Sequence, residues 1–225
     1  MGRPTTGYRL QDGNKALGVT TILGRFKESG ALLHWAFAQG KLAERGVIAN
    51  LYDKRDQAAD IGTAAHEMTE AFLKGEDPIA RRDVLLPNEP DRLKATQAYE
   101  MFQEWWGQTN LKVYRQEIPL VSNQYGFGGT PDWILETPKG LAIGDIKTSN
   151  GIYVDYLIQV AAYKQLWEEN YPNEPITAGF HICRFSKDFP DFDHKYCAEL
   201  DQAWEQFKLF LQAYQIDKVL KKRAA

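Results

Sequence analysis

Thr130-Pro-Asp132-Trp-Ile-Leu-Glu136, then Thr137-Pro-Lys-Gly140, then Leu141-Ala-Ile-Gly-Asp145-Ile-Lys147: this stretch decides the fold. Two apolar runs are punctuated by a Pro/Gly turn, so they read as strands folded back side by side. Side chains alternate faces along a strand, so Asp145 and Lys147 share one face while Ile146 points the other way into the core. Asp132 belongs to the neighbouring strand. Two carboxylates and one ammonium therefore converge where a buried strand ends, which is no ordinary place for charge.

Working outward, Lys112 to Val121 reads as a strand and Gly126-Phe-Gly-Gly129 as a turn or bulge. With the two strands above, this makes an antiparallel meander of three. Downstream, apolar spacing predicts a helix over 153–169, with Tyr156, Leu157, Val160, Ala161 and Trp167 on its inner side. A strand over 176–185 and an amphipathic helix over 200–222 follow. Upstream, a helix from Asp91 to Gly107 carries Ala95, Ala98, Phe102 and Trp105 on one face. From residue 91 the order is helix, three strands, helix, strand, helix: an α/β fold with a mixed central sheet flanked by helices. Residues 1–90 read as a mostly helical segment. It holds helices over 32–44 and 61–74, the second closed by Gly75-Glu-Asp-Pro78, and a loop over 85–90. Segment 1–90 and core 91–225 are expected to form one compact domain.

The chain has 225 residues and a formal net charge of −3. A nucleic-acid site on such a chain must rest on a local basic patch and on bound cations. Its two cysteines, Cys183 and Cys197, form no CxxC pair. They exclude a four-cysteine zinc or iron–sulfur site and read as thiols in a reducing compartment. Met1-Gly-Arg-Pro4 leads into no apolar run, and no stretch of membrane-spanning length occurs, so the expectation is a cytoplasmic protein with no membrane partner.

Close carboxylates repel, and each is costly to ionise beside the other. A divalent cation between them removes that cost, and hard oxygen ligands favour Mg²⁺ or Mn²⁺. Such an ion polarises a phosphodiester and acidifies a bound water. A lysine alongside orients or deprotonates that water, or offsets charge in the transition state. The expected chemistry is phosphodiester hydrolysis.

Three motifs in order carry a resemblance. Gly129-Thr-Pro-Asp132-Trp, Gly144-Asp145-Ile-Lys147-Thr-Ser and Gln159-Val-Ala-Ala-Tyr163 resemble the PD-(D/E)XK nuclease superfamily. The nearest branch is that of RecB-like exonucleases, which includes phage recombination exonucleases and a mitochondrial single-strand exonuclease. Gly62-Thr-Ala-Ala-His66 matches that branch's upstream histidine, and Gly18-Val-Thr-Thr-Ile-Leu23 resembles the opening of its phage members. The resemblance covers roughly residues 60 to 185. It implies a restriction-endonuclease-like core and a Mg²⁺- or Mn²⁺-dependent DNA nuclease, an exonuclease in recombination, repair or replication. The alternatives are a structure-selective endonuclease with the same site and a catalytically idle DNA-binding partner. It further implies Asp132, Asp145, Lys147 and Glu117 as catalytic residues. His66, Asp132, Asp145 and the Ile146 carbonyl would hold metal. Gln159, Tyr163, Glu70 and Thr148 would contact DNA or support the site. DNA is the expected substrate, with a strand-annealing or other recombination protein as partner in a bacterial or phage-infected cell. Some relatives carry an iron–sulfur cluster; this chain is expected to have none.

Candidate DNA contacts are Arg25, Lys27, Lys41 and Arg45, then Arg81 and Arg82, then Lys112 and Arg115. Trp35, Trp105 and Trp106 are candidates for base stacking, and the tail from Lys218 to Arg223 is a further basic stretch.

Overall fold

The computed structural model describes residues 4, 6–27, 30–47, 53–186 and 192–224. In chain order the elements are β1 (Leu17–Gly18), α1 (Val19–Phe26), α2 (Gly30–Glu44), α3 (Asp53–Lys74), α4 (Pro78–Leu85) and α5 (Glu89–Gly107). Then come β2 (Lys112–Gln116), β3 (Leu120–Ser122), β4 (Phe127–Gly129), β5 (Trp133–Thr137) and β6 (Gly140–Thr148). The chain closes with α6 (Val154–Asn170), β7 (Ile176–Phe185), β8 (Phe192–Cys197) and α7 (Asp201–Ala224). Among the described residues no helix is long and apolar enough to cross a membrane.

The central sheet has the order β2-β5-β6-β7-β8. β6 and β7 are parallel, and every other neighbouring pair is antiparallel. A parallel pair needs a long crossover, and α6 supplies it. The sheet is therefore mixed, as the sequence suggests. One face carries Ile134, Ile143, Phe180 and Ile182, which pack with residues of α1, α6 and α7. The other carries Trp133, Leu135, Ala142, Ile146 and Cys183, which pack with α3 and α5. Most buried apolar residues described before 90 belong to these same two clusters. Val19, Ile22 and Leu23 join the first cluster, and Ile61, Ala64 and Met68 join the second.

Several elements differ from the sequence reading. The strand expected over 112–121 is two strands in different sheets. β2 ends at Gln116, paired with Trp133. Glu117 then takes a left-handed backbone, φ 48°, and Pro119 follows with no N–H to offer a ladder. β3 leaves to join a separate sheet of order β1-β4-β3. The Gly126–Gly129 segment is accordingly more than a turn, because Phe127–Gly129 is the middle strand of that small sheet. The strand expected from Thr130 begins at Trp133, so Asp132 stands just before it. The segment Gly75–Pro78 both stops one helix and starts another. Gly75 (φ 73°) ends α3, while the Asp77 side chain accepts from the N–H groups of Ile79 and Ala80 and Pro78 opens α4. α5 starts two residues earlier than expected, at Glu89, capped by Asn88. β8 has no counterpart in the sequence reading. Of the helix expected over 32–44, the backbone is helical, and the side chains of Leu32, Leu33 and Trp35 lie outside the described residues.

Candidate active site

β6 outruns its neighbour. The β5–β6 ladder ends at Trp133 opposite Gly144, so the next inward N–H, that of Ile146, has no strand partner. The Asp132 carboxylate takes its place, accepting from Ile146 N–H at 2.8 Å. One side chain thus extends the ladder by a rung and fixes Asp132 against the strand that bears Asp145 and Lys147. In a strand, a residue's N–H and C=O point to the same edge, so the Ile146 carbonyl also faces this end of the sheet. The Asp132 carbonyl in turn accepts from Glu117 N–H at 3.0 Å, which brings Glu117 to the same place.

α3 delivers the remaining groups. His66, Glu70 and Lys74 are spaced by four and line one helical face. His66 Nε2 lies 3.6 Å from both Asp132 Oδ2 and Glu70 Oε1, too long for a hydrogen bond. Lys74 Nζ bridges Glu70 Oε2 at 3.2 Å and Glu117 Oε2 at 3.0 Å. A chain of alternating charge therefore runs Asp132, His66, Glu70, Lys74, Glu117. Asp145 pairs with Lys147 at its other end. Asp145 is fully buried; its Oδ2 faces the Lys147 ammonium, while its Oδ1 and His66 Nε2 have no hydrogen-bond partner.

The electrostatics follow from this crowding. Burial, with Asp132 close by, pushes the Asp145 carboxyl up to about 6 against the pull of Lys147. Burial opposes the charge on His66, but Asp132 and Glu70 outweigh it and raise the imidazole to about 9. Glu70 is raised to about 7 by burial and by Glu117. For Asp132, burial pushes up, yet His66 and Lys147 bring it below the usual carboxylate range. Lys147 resists its burial because Asp145 and Asp132 hold its proton.

A linkage prediction arises from His66. Raised above its unfolded value, it contributes stability that is full below about pH 6.5 and lost as pH rises through about 9. Urea unfolding of the metal-free protein should show this loss, and His66→Gln should flatten it. An equally steep profile in the variant would refute the role of His66.

A cleft of about 330 Å³ opens beside these groups, lined by His66, Glu70, Glu117, Asp132, Thr130 and Tyr163 together with Tyr8, Val19, Thr20, Glu67 and Gly129. Asp145 and Lys147 stand behind this lining, their side chains 1% and 15% exposed. From α6, Gln159 Nε2 donates to Tyr163 OH at 2.7 Å. Tyr163 approaches so closely that a Cβ at position 129 would lie 2.6 Å from its ring, which is why that wall position is glycine. Tyr8 OH meets Thr130 Oγ1 at 3.0 Å, and the Tyr156 ring lies 5.2 Å from Lys147 Nζ.

The structure thus brings His66, Glu70, Glu117, Asp132, Asp145, Lys147 and Tyr163 to one end of the sheet, with Gln159 bonded to Tyr163. Thr148, by strand alternation, sits on the face opposite Lys147. Tyr8, Thr130 and Lys74 were missed by the sequence reading. Lys74 had a visible signal, being one further helical step of four beyond Glu70. Tyr8 had none, since it reaches the cleft from 122 residues away. None of the candidate DNA cations lines the cleft. Arg25 pairs with Asp217 and Arg81 with Glu76, and Arg115 lies over the Tyr114 and Tyr171 rings. Trp105 and Trp106, both half-buried, pack around Phe102.

The donors fit a hard divalent cation: carboxylate oxygens, a backbone carbonyl and one imidazole, with two buried polar atoms, Asp145 Oδ1 and His66 Nε2, unpartnered. In the present arrangement Lys147 holds Asp145, and among the described residues no three His, Cys, Asp or Glu groups converge on one coordination point. A bound ion would displace the Lys147 ammonium from Asp145.

No family model and no curated protein matches the chain. Among solved structures it is similar to an exonuclease candidate from Eubacterium rectale, with 10% identity and a TM-score of 0.46 over 66% of this chain and 64% of that one. It is also similar to SSO0001, with 14% identity and a TM-score of 0.33 over 69% of this chain and 72% of that one. The chain therefore spans 64% of the length of the first of these structures.

Proposed function

We propose that this chain is a Mg²⁺- or Mn²⁺-dependent deoxyribonuclease with a PD-(D/E)XK, RecB-like core, acting as an exonuclease in DNA recombination, repair or replication. One observation carries the reading. Asp145 is fully buried and paired with Lys147, with a second carboxylate, Asp132, in front of it at the wall of an open cleft. A structural ion pair gains nothing from a second carboxylate at its side.

His66, Asp132, Asp145 and the Ile146 carbonyl would hold the metal. When bound, the ion supplies Lewis acidity to the phosphodiester and acidifies the attacking water. His66 must give up its proton to serve as a ligand. Asp132 stays ionised, kept in place by the Ile146 N–H. Lys147 changes character: once Asp145 and Asp132 are engaged elsewhere, what remains is burial, which disfavours its charge. As a neutral amine, its own proton released to solvent, it would accept the proton of the attacking water as the P–O bond to that water forms and the P–O bond to the leaving oxygen breaks, with the leaving oxygen taking a proton from solvent. The Gln159–Tyr163 pair stands at the cleft wall to contact the strand. A recombination protein that supplies or receives the strand is the partner this reading implies.

The test is cleavage of end-labelled linear single- and double-stranded DNA and of circular single strands, with Mg²⁺, Mn²⁺ or EDTA. Metal-dependent loss of linear DNA with circles intact is the expected result. Cut circles would make the enzyme an endonuclease, and no cleavage of any form would overturn the reading.

A further inference from the structure

Lys74 has no part in the site so far, yet it holds two of the site's carboxylates. Its ammonium lies 3.2 Å from Glu70 and 3.0 Å from Glu117, with Glu70 in turn 3.6 Å from His66. That position between two carboxylates, one step from the His66–Asp132 pair, is where a second divalent ion would bind. An ion at ordinary coordination distance from both glutamates, about 2 to 2.5 Å, would stand against the ammonium.

We propose that Lys74 is a built-in cation that occupies a second metal position and makes this a one-ion site. The inference rests on the metal-dependent reading above. The charges linked by contact support it. Asp132, Asp145, Glu70 and Glu117 face two ammonium groups, Lys74 and Lys147. The ammonium of Lys74 already answers the charge of both glutamates. A second ion held by the same two carboxylates would stand directly beside it, and like charges so close in a partly buried place repel. Glu67 lines the cleft outside this chain of contacts. The helix makes the arrangement rigid: Lys74 follows Glu70 by four residues in the last turn of α3, where the helix dipole favours a cation.

Removing the charge while keeping the stem should free the two glutamates for a second ion. The experiment is calorimetric titration of the full chain with Mn²⁺ alone, with the bound ion counted independently by electron paramagnetic resonance. Wild type and Lys74→Arg should bind one ion per chain, and Lys74→Gln should bind two. Lys74→Met serves in place of Lys74→Gln should the latter not fold. Two ions on the wild type, or a single ion on the Gln and Met variants, would overturn the role of Lys74 and leave the metal-dependent reading standing. No ion on the wild type would overturn that reading, and the inference with it.

Discussion

Lys147→Ala should lower DNA cleavage by about 10³-fold or more while leaving Mn²⁺ bound. The ammonium sits on the β6 face that carries Asp145, 5.2 Å from the Tyr156 ring, and the next lysine of the site, Lys74, is engaged by two glutamates. The same substitution strands the buried Asp145 carboxylate, at a cost of about 3 to 5 kcal/mol in the metal-free protein. A cation on Asp145 relieves that cost, so Mn²⁺ should raise the melting temperature more in the variant than in wild type. Cleavage within tenfold of wild type, measured on end-labelled DNA, would remove Lys147 from the chemistry.

Trp133→Ala should cost about 3 to 5 kcal/mol of stability by urea unfolding. The ring is fully buried, 5.7 Å from Phe102 and 6.0 Å from Trp106. Much of a domain's total of about 5 to 15 kcal/mol would go with it. Trp133→Phe should cost far less. The indole N–H is buried without a partner, so the smaller ring gives up packing but no hydrogen bond. Equal losses in the two variants would show that something other than ring packing holds this position.

The hairpin that bears Asp132, Asp145 and Lys147 was legible because three signals agree: β-rich apolar runs, a Pro/Gly turn and period-two alternation. β7 was legible from its apolar run, and α6 from apolar residues recurring at helical spacing. Glu117 was legible as a residue but not as a place. Its left-handed backbone ends β2 and sends Pro119 into another sheet, and no local periodicity announces a change of sheet. α4 was hidden by its neighbour, since Gly75 and Pro78 read as one terminator when the first stops a helix and the second opens the next. Trp105 and Trp106, candidates for base stacking, are half-buried against the second core cluster. Lys74 went unread because the helical spacing from His66 was followed only one step. Tyr8 depends on tertiary contact alone.

The side-chain rung from Asp132 to Ile146 also bears on how the molecule assembles. The turn between β5 and β6 is short, and local contacts close soonest. The hairpin therefore gathers three charged groups into one place before α3, from a distant part of the chain, can dock and bring His66. Until then the carboxylates face water and need no counter-ion. The imidazole is the latecomer that completes the cluster, so a divalent ion present during refolding should speed the final docking of α3 rather than the formation of the hairpin.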